Sequence, residues 1–196
     1  MEAWFGCEAA PERLGPSFSG RSGRIPTITA WHRTGLLLIL LFAVAACAGG
    51  MTEEGTYRDP QRRFTLRPPP APWQLVDLDG ARLAFRLPAL MAGMGLRVDC
   101  ESPEPGPLPS VSRHLFFGLR DMQFLSRDPV VLASVGGFRT RLIARLEEMP
   151  VEVEAVTLRH QDCLYDFLYV APPDHFAQGQ KDFEAFLKSW MPVATP

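Results

Sequence analysis

One stretch near the carboxyl end of the chain alternates apolar and polar side chains. Phe138–Leu146 places Phe138, Thr140, Leu142, Ala144 and Leu146 on one face and Arg139, Arg141 and Arg145 on the other. Val151–His160 and Cys163–Val170 follow as a further pair that turns at Gln161-Asp162. A period of two is the spacing of a strand, whose successive side chains point to opposite faces. Short connections of this kind join antiparallel neighbours. The pattern therefore predicts a fold built on an antiparallel sheet, with the arginine face of the first strand turned to water.

The upstream chain reads the same way. Arg63–Leu66 is a short strand stopped by Pro68-Pro69-Pro70, and Trp73–Val76 is an extended piece. Asp79-Gly80 is a turn signal before Arg82–Leu87, and Gly95–Cys100 alternates again. Val130–Val135 reads as a strand after Pro129, and Gly136-Gly137 as the hairpin turn behind it. Two segments change period. Leu108, Val111, Leu115, Leu119 and Met122 recur at three- and four-residue steps and predict an amphipathic helix over Leu108–Phe124. Pro172-Pro173-Asp174 opens a second helix, with Asp174 as its N-cap, a stripe of Phe176, Phe183, Phe186, Leu187 and Trp190, and an end before Pro192. The expected fold class is α+β, a mainly antiparallel sheet flanked by amphipathic helices.

The amino-terminal quarter is of another kind. Residues 1–31 are rich in Gly, Pro, Ser and Arg without an apolar period, longer than an ordinary n-region; the reading favours a true translation start further downstream. Leu36–Ala46 is wholly apolar, but a bilayer-crossing helix needs about 20 such residues. With Arg33 just upstream, the length fits a signal-peptide h-region. The run closes on Val44-Ala45-Ala46-Cys47, which resembles the lipobox of bacterial lipoproteins. That resemblance implies cleavage between Ala46 and Cys47 and acylation of Cys47. The expected organisation is residues 1–46 as extension and signal peptide, 47–56 as a tether, and 57–194 as a single domain. Ala48 at the second position of the mature chain resembles the pattern of lipoproteins sent on to the outer membrane.

With Cys47 acylated and Cys7 removed, Cys100 and Cys163 remain. In an oxidising compartment they are candidates for one disulfide, with two buried free thiols as the rival reading. His114, His160 and His175 lack the close spacing of a zinc set, so no metal is expected.

Two stretches, "YRDPQRRFTLRPPPAPWQL" from Tyr57 and "YDFLYVAPPDHFAQGQKDFEAFLKSW" from Tyr165, resemble the opening and closing segments of PsbP-like domains. The resemblance implies a PsbP-like α/β/α sandwich serving binding or assembly, and it brings no catalytic residues. It includes bacterial lipoproteins. A photosystem role is not carried over, because nothing else in the chain indicates a photosynthetic setting.

The chain has 20 basic and 22 acidic residues, a net charge of −2, which does not favour nucleic acid as a partner. No H-E-x-x-H, P-loop, Rossmann or G-x-S-x-G motif occurs, so neither a catalytic residue nor a cofactor is expected. His114 reads as lying at the edge of the helical stripe or in solvent, His160 as ending a strand beside a turn, His175 as solvent-facing, and Glu147-Glu148 with Glu152 and Glu154 as a solvated hairpin tip. Two functions follow as expectations. The first is an envelope lipoprotein facing the periplasm, held to the membrane by acyl chains on Cys47, that docks non-catalytically on another envelope protein. The alternative is a small-ligand or lipid-binding lipoprotein with an apolar pocket lined from Phe116, Phe117, Phe124, Phe138 and Phe167.

Overall fold

The computed structural model describes residues 50–52, 55–101 and 103–193. Ala46, Cys47 and the lipobox lie outside the described residues. Residues 50–52 turn back on the domain, Gly50 O accepting from Arg58 N at 2.8 Å, with Met51 bridged to Tyr57.

Seven strands form one antiparallel sheet: β3 (Gln74–Val76), β4 (Leu83–Leu87), β5 (Ala92–Asp99), β6 (Leu119–Leu132), β7 (Val135–Leu146), β8 (Met149–His160) and β9 (Cys163–Ala171). Their spatial order is β3-β4-β5-β9-β8-β7-β6. The chain runs as a three-strand meander, crosses to the far edge, and returns as a four-strand meander whose last strand lies beside β5. A smaller sheet joins β1 (Tyr57–Arg58), β2 (Phe64–Leu66) and β10 (Met191–Pro192), with β2 in the centre. The architecture is α+β, as the alternation implied.

One sheet face is covered by α2 (Pro173–Lys188). Its stripe of Phe176, Phe183, Phe186 and Leu187 is buried against Tyr165, Phe167 and Tyr169 of β9 and Met94 and Leu96 of β5. The contacts are aromatic and mostly edge-to-face, the arrangement the ring quadrupole favours: Phe167 to Phe186 at 5.9 Å, Phe85 to Phe186 at 5.7 Å and Tyr165 to Trp190 at 5.1 Å. Tyr169 donates its hydroxyl to Phe176 O at 2.9 Å, and burial pushes that hydroxyl up to about 12, so the donor keeps its proton. A β-carbon on Gly179 would lie 2.5 Å from the same oxygen, which explains a glycine in mid-helix. Trp73 Nε1 donates to Asp182 Oδ2 at 2.9 Å and pins the chain before β3 to the helix. The N-cap is Pro172 rather than Asp174, whose side chain sits within the first turn, where the helix dipole favours its charge.

The other face is covered only in part. The expected helix over Leu108–Phe124 stops early: α1 (Leu108–Val111) is one turn, a 3-10 helix continues over Ser112–Phe116, and Leu119 already opens β6. Gly118, at φ +88°, sits at the break in a conformation that favours glycine. Leu119 and Met122 matched the helical spacing by coincidence; pairing with β7 along their whole strand prevails over the local pattern. β6 also runs straight through Pro129, which an edge strand tolerates. The hairpin behind it turns on Ala133 and Ser134, both left-handed, and not on Gly136-Gly137. Those glycines lie in β7; a β-carbon on Gly137 would strike Leu158 and come within 2.9 Å of Thr157 O.

The arginine face of β7 is wet only towards its end, where Arg145 meets the exposed Glu148. It lies on the α2 side, where Arg141 Nε meets Glu152 Oε1 at 2.5 Å and Arg139 NH1 meets Glu154 Oε1 at 3.2 Å and Glu184 Oε1 at 2.6 Å. Glu152 and Glu154 are buried, so the expected solvated tip is confined to Glu147-Glu148. Cys100 and Cys163 are disulfide-bonded with Cα atoms 4.2 Å apart. The register pairs Asp99 with Leu164, so the two cysteines stand directly opposite at the end of the β5–β9 pair.

Two predictions follow from these contacts. The disulfide closes a separation of 63 residues, which on the chain-entropy account stabilises the fold by about 4 kcal/mol. Reduction should lower the melting temperature by on the order of 10 °C, and an unchanged melt in reductant would refute this. The second concerns Glu154. Burial pushes its carboxyl above the ordinary 4.5, with Arg139 and Gln180 drawing it partly back. A folded-state value above the unfolded one means that the folded protein holds a proton the unfolded chain has released, so this group's contribution to stability falls as pH rises from about 4.5. Glu154→Gln keeps a partner for Gln180 and leaves Arg139 with Glu184. Across thermal melts from pH 4.5 to neutrality the variant should gain on the wild type as pH rises; parallel curves would reject the assignment.

Candidate functional site

The five phenylalanines expected to line one pocket do not converge. Phe167 faces α2 and packs on Phe186 and Trp190. Phe138 lies under the Arg127 guanidinium, 5.6 Å from its ring centre. Phe116, Phe117 and Phe124 do come together, in a cleft of about 640 Å³ between the 3-10 helix and β6 that also takes in Arg113, His114 and Arg127. Phe116 and Phe124 meet edge-to-face at 6.4 Å, while Phe117 is 96% exposed.

That cleft continues into the outer edge of β6. Met122 and Phe124 are exposed in it and Leu125 is exposed next along the strand, while Val131 is exposed at the strand's far end, in a separate hollow beside α2. Register shifts between Arg120 and Gln123 and between Phe124 and Ser126 bend the strand. Arg120, Asp121, Arg127 and Asp128 add charges of both signs. β6 stands last in the sheet order, so its outer side has no neighbouring strand among the described residues. Bulges, a proline and charges are the devices by which natural edge strands discourage unselective pairing.

A polar cluster lies behind the 3-10 helix. Asp166, in the middle of β9, has a side chain only 1% exposed. Its Oδ1 accepts from Thr157 Oγ1 at 2.8 Å, and its Oδ2 lies 3.0 Å from His114 Nε2 and 3.7 Å from Arg97 NH1. His114 Nδ1 lies 2.6 Å from Val111 O, a group that only accepts, so the hydrogen on Nδ1 is assigned to that bond. Nε2 of the neutral ring is then an acceptor for Arg97 NH1 at 3.0 Å; the protonated ring donates to Asp166 instead. The Thr157 hydroxyl is committed to Asp166. The arrangement is a clamp that fastens the 3-10 helix to the sheet. Of the two expected places for His114, the stripe's edge and solvent, it takes the first, with its side chain 29% exposed. The signal that could have located the cluster was Asp166 itself, the one charged residue in "CLYDFLYVA".

His160 stands edge-on to Trp190 at 6.4 Å, and His175 Nδ1 lies 3.3 Å from Leu90 O. Among the described residues no group of three or more His, Cys, Asp or Glu is placed to hold a metal ion.

On the half of that face that the 3-10 helix leaves bare, there is a groove of about 420 Å³. Gly93 and Gly95 of β5 and Ala84 of β4 form its floor with half-buried Leu168 and Val170 of β9. Leu115 bounds one side and the Val76–Ala81 loop another. A β-carbon on Gly95 would lie 2.7 Å from Leu83 O, so the close approach of β4 excludes a side chain there. Gly93 has room: its β-carbon would meet only Phe85 O at 3.8 Å. The lining is almost wholly apolar, with Arg86, Arg97, Asp79 and Asp166 at its margins.

No family model matches the sequence, and no curated protein does. Solved structures do resemble the fold. Cyanobacterial PsbP (CyanoP) from Synechocystis sp. PCC 6803 is 13% identical, with a TM-score of 0.55 over 74% of this chain and 97% of its own. A protein from Bacteroides thetaiotaomicron is 11% identical, with a TM-score of 0.53 over 75% of this chain and 50% of its own. LpqN, involved in cell envelope biogenesis of Mycobacterium tuberculosis, is 11% identical, with a TM-score of 0.52 over 67% of this chain and 83% of its own. The chain thus has the α+β fold of the PsbP-like proteins.

Proposed function

We propose that this is a lipid-anchored protein of the cell envelope that acts without catalysis, by docking on another protein through the outer edge of β6. The observation that carries this reading is the combination of an open strand edge and exposed Phe117, Met122, Phe124 and Leu125 beside it. Exposed apolar side chains gathered in a cleft mark an interaction site, and an open edge accepts an extended segment by adding it as a further strand. The partner segment has apolar side chains at alternate positions, to meet Met122 and Phe124, and charges of both signs opposite Arg120, Asp121, Arg127 and Asp128. LpqN, of similar fold, is involved in cell envelope biogenesis, which supports an envelope role. Anchoring rests on the lipobox pattern ending at Cys47.

A photo-reactive residue at position 124 should cross-link one defined envelope protein, while the same residue at the exposed Gln178 of α2 should not; equal products from both positions would count against the β6 edge. With the photo-reactive residue kept at position 124, the substitution Met122→Lys, at an exposed position, should abolish the cross-linked species and leave the melting temperature nearly unchanged. Anchoring has its own readout. An alkyne palmitate analogue should label the protein, and label surviving Cys47→Ala would rule out that cysteine as the acylated residue. Sucrose-gradient separation of the membranes should find the labelled protein with the outer one.

A further inference from the structure

The groove on the bare half of the sheet is built for a ligand of another kind. In a sheet with helices on both faces, the second layer normally covers such a floor; here the covering segment ends at Phe116 and leaves Leu168 and Val170 only half-buried. Nor does the sheet fill the space itself. Gly93 presents no side chain where one would fit, the close approach of Leu83 O excludes one at Gly95, and Ala84 adds a single methyl, so the hollow stays open. Its volume, about 420 Å³, falls within the roughly 300–1,000 Å³ of small-molecule sites. An apolar floor of this shape takes a hydrocarbon chain lying along the strands.

The margin supplies the polar end. Arg86 is exposed, and its guanidinium donates through Nε to the neutral Gln74 Oε1 at 3.2 Å; among the described residues no carboxylate pairs with it. Arg97 is engaged by Asp99 at 3.5 Å and by Asp166 at 3.7 Å. Asp166 is itself held by Thr157 and His114. Asp79 lines the loop wall and repels a like charge. Arg86 is therefore the cation open to an anionic group at the mouth.

We propose that this groove binds single-chain anionic amphiphiles, with the hydrocarbon over Gly93, Gly95, Leu168 and Val170 and the anionic head at Arg86. The site shares no residue with the β6 edge, so the fate of one proposal leaves the other standing.

The test is isothermal titration of decanoate, below its micelle concentration, into the purified full chain. Saturable binding at one site is expected. Gly93→Leu places a side chain in the hollow at a position with backbone room, and should weaken binding on the order of tenfold or more without lowering the melting temperature. Arg86→Gln should weaken decanoate a few-fold, as expected of a solvent-exposed charge, and leave decanol unchanged. Absence of saturable binding to the wild type overturns the proposal, as does a folded Gly93→Leu that binds as the wild type does. Should Gly93→Leu fail to fold, Arg86→Gln decides: an unchanged ratio of decanoate to decanol affinity refutes the head-group assignment and the amphiphile with it.

Discussion

The structure depends on one seam, the pairing of β5 with β9. The strands before it form one meander and those from β6 to β9 another, and only here do the two halves of the seven-stranded sheet meet. Everything that makes a domain of them is attached to the seam. The disulfide closes one end of it. The aromatic layer of α2 rests on Tyr165, Phe167 and Tyr169 from one side. Asp166, from the other side of the same strand, holds the 3-10 helix through His114. Long-range pairing of this kind incurs its loop-closure entropy before any contact rewards it. It is therefore stable only because several independent interactions converge on one strand pair.

Much of this was legible in the residues, and the parts that were not share a cause. The last hairpin, α2 with its phenylalanine stripe and the strands β4 and β5 carry periodicity that their burial enforces, since one face of each is sealed. β6 carries none, because both its faces and its outer edge are largely exposed. Leu115, Leu119 and Met122 could then mimic a helical stripe without being one. Gly136-Gly137 misled for the same kind of reason: a glycine pair signals either a turn or a place where something approaches closely, and Leu158, which decides between them, is distant in sequence. The groove left no mark that a linear reading could find. Its floor is made by what is missing at Gly93 and Gly95, and its walls, Leu115 and the Val76–Ala81 loop, come from segments distant in sequence.

Charge was misread where alternation was read correctly. Arg139 and Arg141 do alternate with the apolar residues of β7, but the face they occupy is opposite Glu152 and Glu154 of β8 and beneath Glu184 of α2. A polar row on a strand means a wet face only when nothing of opposite sign stands across the ladder. Here each arginine has a buried carboxylate for a partner, and Arg141 also lies over the Phe176 ring at 4.7 Å. The helix is thereby oriented on the sheet by fixed charges as well as by its aromatic stripe. Burial of ionic groups of this kind confers geometry more readily than stability.

The small sheet has a mechanical meaning. β1 and β10 both pair with β2, and Gly50 is bonded to Arg58, so the amino and carboxyl ends of the described chain leave from one three-stranded patch. Asp59, buried between Arg63 and Arg82, ties that patch to β4. A protein held to a membrane by its amino end would carry any pull through the two-residue β1 first. Its Tyr57 is buried against Phe64, so that first load falls on a core contact as well as on the strand's own pairing.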